Sequence, residues 1–509
     1  MANIISQLIT QMQQPDFYPH AVVEDIKLVQ THGAYIFLTG NYAYKVKKNV
    51  NYGFLDYSSL DKRKFFLDEE LRLNQKIAPE IYLEVMPISQ HGDRFVLASS
   101  DNIVEYTLKM NAFPQENLLS NLLESGKLNG DRLIELGEIV AKFHQNADTN
   151  EYISKFGTAA NIRAAFEENY QQSQKYVGIQ TKEQLKATKL YTDSFFTEQE
   201  DLLKDRVKQG KIKECHGDLH LNNICLWHDK IQLFDRLEFN ESFRFVDTMY
   251  DVAFVVMDLA IRNRLDFANI FLNSYLEASG DWTGLLVLPL YLSRQAYVRG
   301  KVNSFLLDDP QISEEEKQTA SKRARDYYQL AYQYTQTKVG SLILMSGLSG
   351  SGKSTVARGI ASRQDAIHIR ADAVRKHLAG IPLAESGKDL YTAAMTDKTY
   401  ARLLELGLIL VKAGYTVILD AKYDRLSLRQ PVIDRAEEDN IQLKIVYCTA
   451  PESVLRDRLN QRQNDISDAT ADLLPAQQAT WQDFTTTEQA YVTTVDTSRA
   501  NWQTKLSNI

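Results

Sequence analysis

A chain of 509 residues is too long for a single hydrophobic core, so two or three domains are expected. Its 44% hydrophobic and 24% charged residues match an ordinary soluble globular protein. A net charge of −8, with a pI near 5.7, provides no overall basic field, so a nucleic-acid partner is not expected.

In "MANIISQLITQMQQPDFYPH", Ile4, Ile5, Leu8, Ile9 and Met12 recur at helical spacing. No basic run or small-residue cleavage site accompanies them, so the segment reads as an amphipathic helix and not a signal peptide. From about 22 to 110 the pattern is strand-rich. "AYIFLTGNYAYKVKK" predicts two strands joined at Thr39-Gly40-Asn41, and "DKRKFFLDEELRLNQKIA" predicts a helix stopped by Pro79. "EIYLEVMPI", "DRFVLAS" and "IVEYTLKM" predict three further strands. Helical periodicity dominates from 111 to 338, interrupted by a strand–loop–strand over "ECHGDLHLNNICLWHDKIQLFD" (214–235). A domain boundary is expected near 338. Beyond it "SLILMSG", "AIHIR", "YTVILD" and "LKIVYC" alternate with helices, the signature of a parallel sheet built from βαβ units. The richest apolar run, "LLVLPLYL", is too short to span a bilayer. Cys215, Cys225 and Cys448 are scattered and odd in number, which argues for a reducing compartment. The expectation is a cytoplasmic protein without a membrane partner; its oligomeric state is left open.

The strongest motif is Gly347-Leu-Ser-Gly350-Ser-Gly352-Lys353-Ser354, followed by Thr355, set between an apolar strand and a helix. Glycines let backbone N–H groups wrap a β-phosphate, and the helix N-terminus adds positive potential. Lys353 would reach the β- and γ-phosphates, and the Ser354 hydroxyl would ligate Mg²⁺. In "IRADAVRKHL", Asp372 can accept a proton from an attacking hydroxyl while Arg375 steers an anionic group. A helix-capping aspartate beside a solvated arginine is the plainer alternative. Asp420 ends "YTVILD", where an acid holds the water shell of Mg²⁺. Arg458 and Arg462, at i and i+4, either fold over the transferring phosphate as a lid or form a solvated face. "LMSGLSGSGKST", "IRADAVRK" and "VILDAKYDRLSLR" resemble the small P-loop kinases, which include gluconate kinase, polynucleotide 5′-kinase domains and zeta-type toxins. That resemblance covers 340 to about 500 and implies ATP-dependent phosphorylation of a hydroxyl.

Residues 214–235 bring Asp218, Asn223 and Asp235 into one short run of oxygen ligands suited to Mg²⁺. Cys215, His216, His220, Cys225 and His228 crowd there too, but no C-x-x-C pair supports zinc. "IKECHGDLHLNNICL" resembles the catalytic loop of aminoglycoside phosphotransferases and choline kinases. The resemblance implies that Asp218 orients and deprotonates the acceptor hydroxyl, that Asn223 and Asp235 bind Mg²⁺, and that His216 packs the loop. Kinases also use an Ala-x-Lys strand, and here Ala43 and Lys45 share a face, with Lys47 the runner-up. Glu70 lies on the apolar stripe of Phe66, Leu73 and Ile77, so it is the expected partner of Lys45. No G-x-G-x-x-G loop exists; "THGAYIFLTGN" is the expected nucleotide-covering hairpin. Acceptor contacts are sought among Glu238, Arg244, Asp247, Asp251 and Asp258, with Asp251 and Asp258 equally readable as structural.

The order of modules resembles a bifunctional bacterial family in which an aminoglycoside-phosphotransferase-like domain (1–338) precedes a P-loop kinase domain (339–509). The resemblance implies an α+β protein-kinase-like fold followed by an α/β P-loop fold. It also implies ATP and Mg²⁺ as cofactors and a small-molecule hydroxyl acceptor at each site. One nucleotide site gating the other, and action of the P-loop half on nucleic-acid ends, are the rival readings.

Overall fold

In strand β3 (Tyr42–Lys47) the side chains divide by the two-residue period. Tyr44 and Val46 enter one apolar cluster with Phe37, Ile88 and two residues of the N-terminal segment, Leu8 and Met12. Ala43 faces the other way, into a cluster with Leu67, Ile81 and Leu108. The computed structural model in which this is seen describes residues 2–508 except Val23, Phe54, Gln311 and Asn464. The sheet is completed by β1 (Lys27–Gln30), β2 (Ala34–Leu38), β4 (Tyr82–His91), β5 (Arg94–Leu97) and β6 (Ile103–Asn111). Its order is β1-β2-β3-β6-β4-β5, antiparallel throughout. Gly40, at φ 88°, makes the tight β2–β3 turn where the sequence places it.

The helix Leu60–Gln75 begins at Ser59, whose side chain accepts the Lys62 N–H. It buries Leu67, Glu70 and Leu73 against the sheet and ends just before Pro79. Downstream, β7 (Ile212–Glu214) pairs with β10 (Phe245–Asp247), and the hairpin β8 (Ile224–Trp227) and β9 (Lys230–Leu233) follows the candidate catalytic loop.

The second sheet comprises β11 (Ser341–Ser346), β12 (Ile367–Arg370), β13 (Thr416–Asp420), β14 (Gln442–Thr449) and β15 (Val492–Asp496). All neighbours are parallel, in the order β12-β13-β11-β14-β15. Leu342 to Ser346 of the central β11 are all buried, as expected for a strand covered on both faces. Strand β15 was not expected from the sequence: it is an edge strand in which only Val495 is buried, so "VTTVD" carries no apolar run.

The chain forms two compact units that do not divide at one point. One comprises Met1–Arg132, Asn146–Ile162 and Asp201–Val255; the other comprises Leu133–Gln145, Arg163–Glu200 and Val256–Ile509. Within the second unit, the helix Leu265–Ser279 meets the edge of the second sheet, where Asn269 and Asn273 hydrogen-bond its backbone. Among the described residues no helix is long and apolar enough to cross a membrane.

Candidate functional site

Lys45 and Lys47 stand on the face of β3 that meets the helix Leu60–Gln75, and both reach Glu70. Lys45 Nζ lies 2.6 Å from Glu70 Oε1 and 2.9 Å from Asp235 Oδ1. Lys47 Nζ lies 2.9 Å from Glu70 Oε2 and 2.5 Å from Glu238 Oε1, and Tyr57 Oη also donates to Glu238. The sequence offered Lys45 or Lys47; the protein uses both on one carboxylate. Burial alone would raise the pKa of Glu70, but the two ammonium groups hold it down at about 2, from an ordinary 4.5. Burial likewise works to lower that of Lys45, while Asp235, Glu70 and Glu238 keep it well above the ordinary lysine value.

A carboxylate depressed on folding contributes its full stabilisation above its unfolded pKa, and for Glu70 that contribution is lost as pH falls from 4.5 toward 2. Glu70→Gln leaves two buried lysines short of an anion and is expected to cost about 3 kcal/mol. Urea unfolding should show this loss at pH 7, with the difference from wild type shrinking as pH drops through that window.

The H-G-D loop is built from main-chain bonds. Gly217 has φ 86°, and a Cβ there would lie 2.6 Å from Phe243 O, so only glycine fits. His216 Nε2 donates to Phe234 O at 2.9 Å, and its Nδ1 accepts the Asp218 N–H at 3.3 Å. Burial pushes the His216 pKa down, and both ring nitrogens are committed to the backbone of the loop. Asn223 Nδ2 donates to Asp218 O at 2.9 Å and lies 3.4 Å from Asp218 Oδ2, while His220 Nε2 lies 3.3 Å from the same oxygen. Phe234 N donates to Asn223 O, which brings Asp235 beside the loop. Asp235 takes φ 59°, rare for a non-glycine residue, and its N–H donates to Tyr82 Oη at 2.9 Å. Asp218, Asn223, Asp235, Lys45 and Glu70 thus form one connected polar chain in one compact unit.

Several proposed acceptor contacts have structural partners instead. Arg206 clamps Asp247 through two nitrogens at 2.6 and 2.8 Å. Asp251 accepts the backbone N–H groups of His216 and Gly217 at 2.7 and 2.9 Å, bracing the H-G-D loop. Arg244 bonds Glu214 and Glu238 O, Glu238 bonds Lys47, and Asp258 pairs with Arg262 at 3.3 Å. A buried carboxylate must be compensated, and here neighbouring groups of the protein do so. Of the crowded cysteines and histidines, Cys215 and Cys225 are buried free thiols, and His228 lies 3.8 Å from Glu80.

The second site is a cavity of about 860 Å³. Ser349, Gly350, Gly352, Lys353 and Ser354 of the glycine loop form one side of it. Gly347, Gly350 and Gly352 have φ of 140°, 80° and 84°. A Cβ at Gly347 would fall 2.3 Å from Cys448 O, and one at Gly350 would fall 2.8 Å from Leu455 O. Gly352 caps the helix Lys353–Gln364 with no side-chain cap, leaving the first-turn N–H groups to a ligand. Lys353 Nζ donates to Leu348 O at 2.8 Å; burial lowers its pKa, against the pull of Asp420. Lys353, Ser354, Thr355 and Asp420 all line the cavity. These residues fit a Mg²⁺–triphosphate: a cradle open only to glycine, a buried lysine, and an aspartate kept ionised. For Asp420 burial opposes ionisation, but a hydrogen bond from His368 and the charges of Lys353 and Arg370 hold its pKa far below the carboxylate range.

Asp372 and Arg375 line the same cavity. Arg375 Nη1 and Tyr391 Oη both donate to Asp372 Oδ1 at 2.8 Å, and the guanidinium lies 4.3 Å from the Tyr391 ring centroid. The two later arginines, expected either as a lid or as a solvated face, behave differently from one another. Arg458 is fastened down, donating to Gly350 O and to both Thr497 oxygens at 2.8–3.2 Å, so it braces the loop. Arg462 lies 3.9 Å from Asp465, and its buried Nη1 has no hydrogen-bond partner. Arg375 Nε, Asp424 Oδ1 and Ser351 Oγ are likewise buried without a hydrogen-bond partner. Three of these atoms, on Arg462, Arg375 and Asp424, belong to residues that line the one cavity, and they mark a place shaped for a ligand. Tyr391 and His368 were not singled out from sequence, because each gains meaning only through a partner distant in the chain, Asp372 and Asp420; Asp424 was not singled out although it lies within "VILDAKYDRLSLR".

Residues 342–484 match the sequence model of a family described as an AAA domain. An uncharacterized protein of Mycobacterium tuberculosis (strain H37Rv) is 29% identical over 473 residues, covering 91% of this chain and 92% of that protein. A gluconokinase of Gluconobacter oxydans is 29% identical over 145 residues, 27% of this chain and 73% of the enzyme. Among solved structures, an amicoumacin kinase in complex with AMP-PNP, Ca²⁺ and amicoumacin covers 64% of this chain and 96% of its own, at 12% identity and a TM-score of 0.38. The matched AAA-domain residues span the parallel sheet from β11 through β14 together with the glycine loop.

Proposed function

We propose that the chain is a phosphotransferase with two nucleotide sites, each moving the γ-phosphoryl group of ATP to a hydroxyl of a small molecule. The observation that carries this reading is the continuity of the second cavity. A glycine-built phosphate loop with Lys353 lines the same space as the Asp372–Arg375–Tyr391 cluster, so donor and acceptor equipment share one enclosure. ATP brings the transferable group, and Mg²⁺, held by Ser354 and Asp420, would neutralise its oxygens. The protein's part is positioning and charge. Lys353 and the first-turn N–H groups would hold the phosphates, and Asp372 would take the acceptor's proton. Both hydrogen bonds to Asp372 fall on Oδ1, which orients the carboxylate while Oδ2 serves as base.

Eight lysines and arginines line the cavity against four aspartates. That surplus favours an acceptor carrying its own negative charge, with Arg375 and Arg462 as its partners. At the first site Asp218 is the base, Asn223 and Asp235 would hold Mg²⁺, and Lys45, fixed by Glu70, would hold the phosphates.

The test is transfer of label from γ-labelled ATP to a metabolite pool by wild type, Asp218→Asn and Lys353→Ala. Two labelled products, each lost in one variant only, are expected. A product that survives in the double variant, or a single product lost in both, would overturn the two-site reading.

A further inference from the structure

Strand β12 is an edge of its sheet, so its outward backbone groups need partners from elsewhere. They find them on the helix Leu265–Ser279. Asn273 Oδ1 accepts the His368 N–H at 2.7 Å, and Asn269 and Asn273 each donate Nδ2 to Ala366 O at 3.0 Å. The edge is therefore pinned on both sides of Ile367, which fixes where the His368 side chain starts.

That side chain crosses to the neighbouring strand. His368 Nε2 lies 2.9 Å from Asp420 Oδ2, with the two residues only 6% and 5% exposed. The carboxylate is ionised and can only accept, so Nε2 carries the hydrogen and donates. A hydrogen bond of this kind costs little to make between buried groups and much to leave unmade. It also removes rotational freedom from the one cavity carboxylate at the end of β13, directly across from the strand that leads to Lys353.

We propose that His368 is a positioning residue for Asp420, donating from Nε2 to Oδ2 so that Oδ1 is held ready for the divalent cation that accompanies the nucleotide. The inference rests on the phosphotransferase reading of the second site. Partners that orient a metal-binding carboxylate in this way are worth about 10- to 100-fold in metal affinity. The imidazole suits this role because it is rigid, fills the space between two strands, and reaches the carboxylate with its donor and no intervening water. The Asn273 contact extends the support to a residue that precedes the glycine loop by more than seventy positions.

Metal binding is the direct readout. The full-length chain carrying Asp235→Asn, which silences cation binding at the first site, is titrated with Mn²⁺ in the presence of a non-hydrolysable ATP analogue. Free Mn²⁺ is followed by electron paramagnetic resonance. Adding His368→Leu is expected to weaken Mn²⁺ binding about 10- to 100-fold, whereas His368→Gln, which restores a donor at similar reach, should recover it to within a few-fold. Thermal melts of each variant are run alongside, and if His368→Leu melts early, His368→Gln alone decides. Undiminished Mn²⁺ binding in a folded His368→Leu variant would overturn the inference, and so would a His368→Gln variant that is folded yet binds poorly. If the Asp235→Asn parent binds no Mn²⁺ with nucleotide, the second-site reading falls as well, an outcome distinct from the other two.

Discussion

Asp218→Asn is expected to slow transfer at the first site by between about a hundredfold and ten-thousandfold, the range for loss of a positioned general base. Nucleotide binding should survive. The asparagine has the same shape, and the loop is held by the main chain: His216 and Gly217 N–H groups on Asp251, Asn223 Nδ2 on the Asp218 carbonyl, and Phe234 N on Asn223 O. None of these bonds uses the Asp218 carboxylate. The phosphate-facing side is also independent of it, since Lys45 is fixed by Glu70 and Asp235. The variant should therefore lose kcat with little change in the Kd of an ATP analogue, measured by calorimetry. The measurement is made with Lys353 also replaced, so that the second site is silent. Turnover equal to the Lys353→Ala parent would mean that another group takes the proton.

How much of this was legible in the sequence depended on the range of each interaction. The β2–β3 hairpin, the Lys45–Glu70 pairing and the phosphate loop rest on local periods and fixed spacings, and these can be read from a single chain. Two-residue alternation put Lys45 and Lys47 on one face, but nothing local indicates that Glu238, some 190 residues later, closes the cluster on Lys47. Asp247 looked available, and Asp251 could be read either way, because their compensating groups, Arg206 and the His216–Gly217 amides, are distant in sequence. One omission produced another. Strand β15 has too few apolar residues to be seen, so Thr497, which follows it, could not be recognised as the anchor of Arg458. Without that anchor the i, i+4 spacing of Arg458 and Arg462 suggested a matched pair, whereas one braces the loop and the other ends in an unpartnered nitrogen.

At the second site the largest effect is expected from Lys353→Ala, a loss of about a thousandfold in transfer, the scale at which a preorganised charge at a phosphoryl group contributes. Unlike the Asp218 substitution, it should also weaken nucleotide binding, because the lysine acts on the ground-state phosphates as well as on the charge that develops. The local structure should tolerate the change. Among the described residues Lys353 Nζ hydrogen-bonds only the Leu348 carbonyl, Gly347 and Gly350 lie where a Cβ would strike Cys448 O and Leu455 O, and Arg458 ties Gly350 O to Thr497. Burial already disfavours the Lys353 charge, and Asp420 opposes that cost. Removing the lysine therefore leaves Asp420 with one fewer cation, while His368 and Arg370 still hold its pKa down. The melting temperature should stay close to that of wild type while the calorimetric signal for the ATP analogue at this site disappears. A variant that keeps both analogue binding and its labelled product would show that the glycine loop is not the phosphate site, and the assignment of the C-terminal half would have to be abandoned.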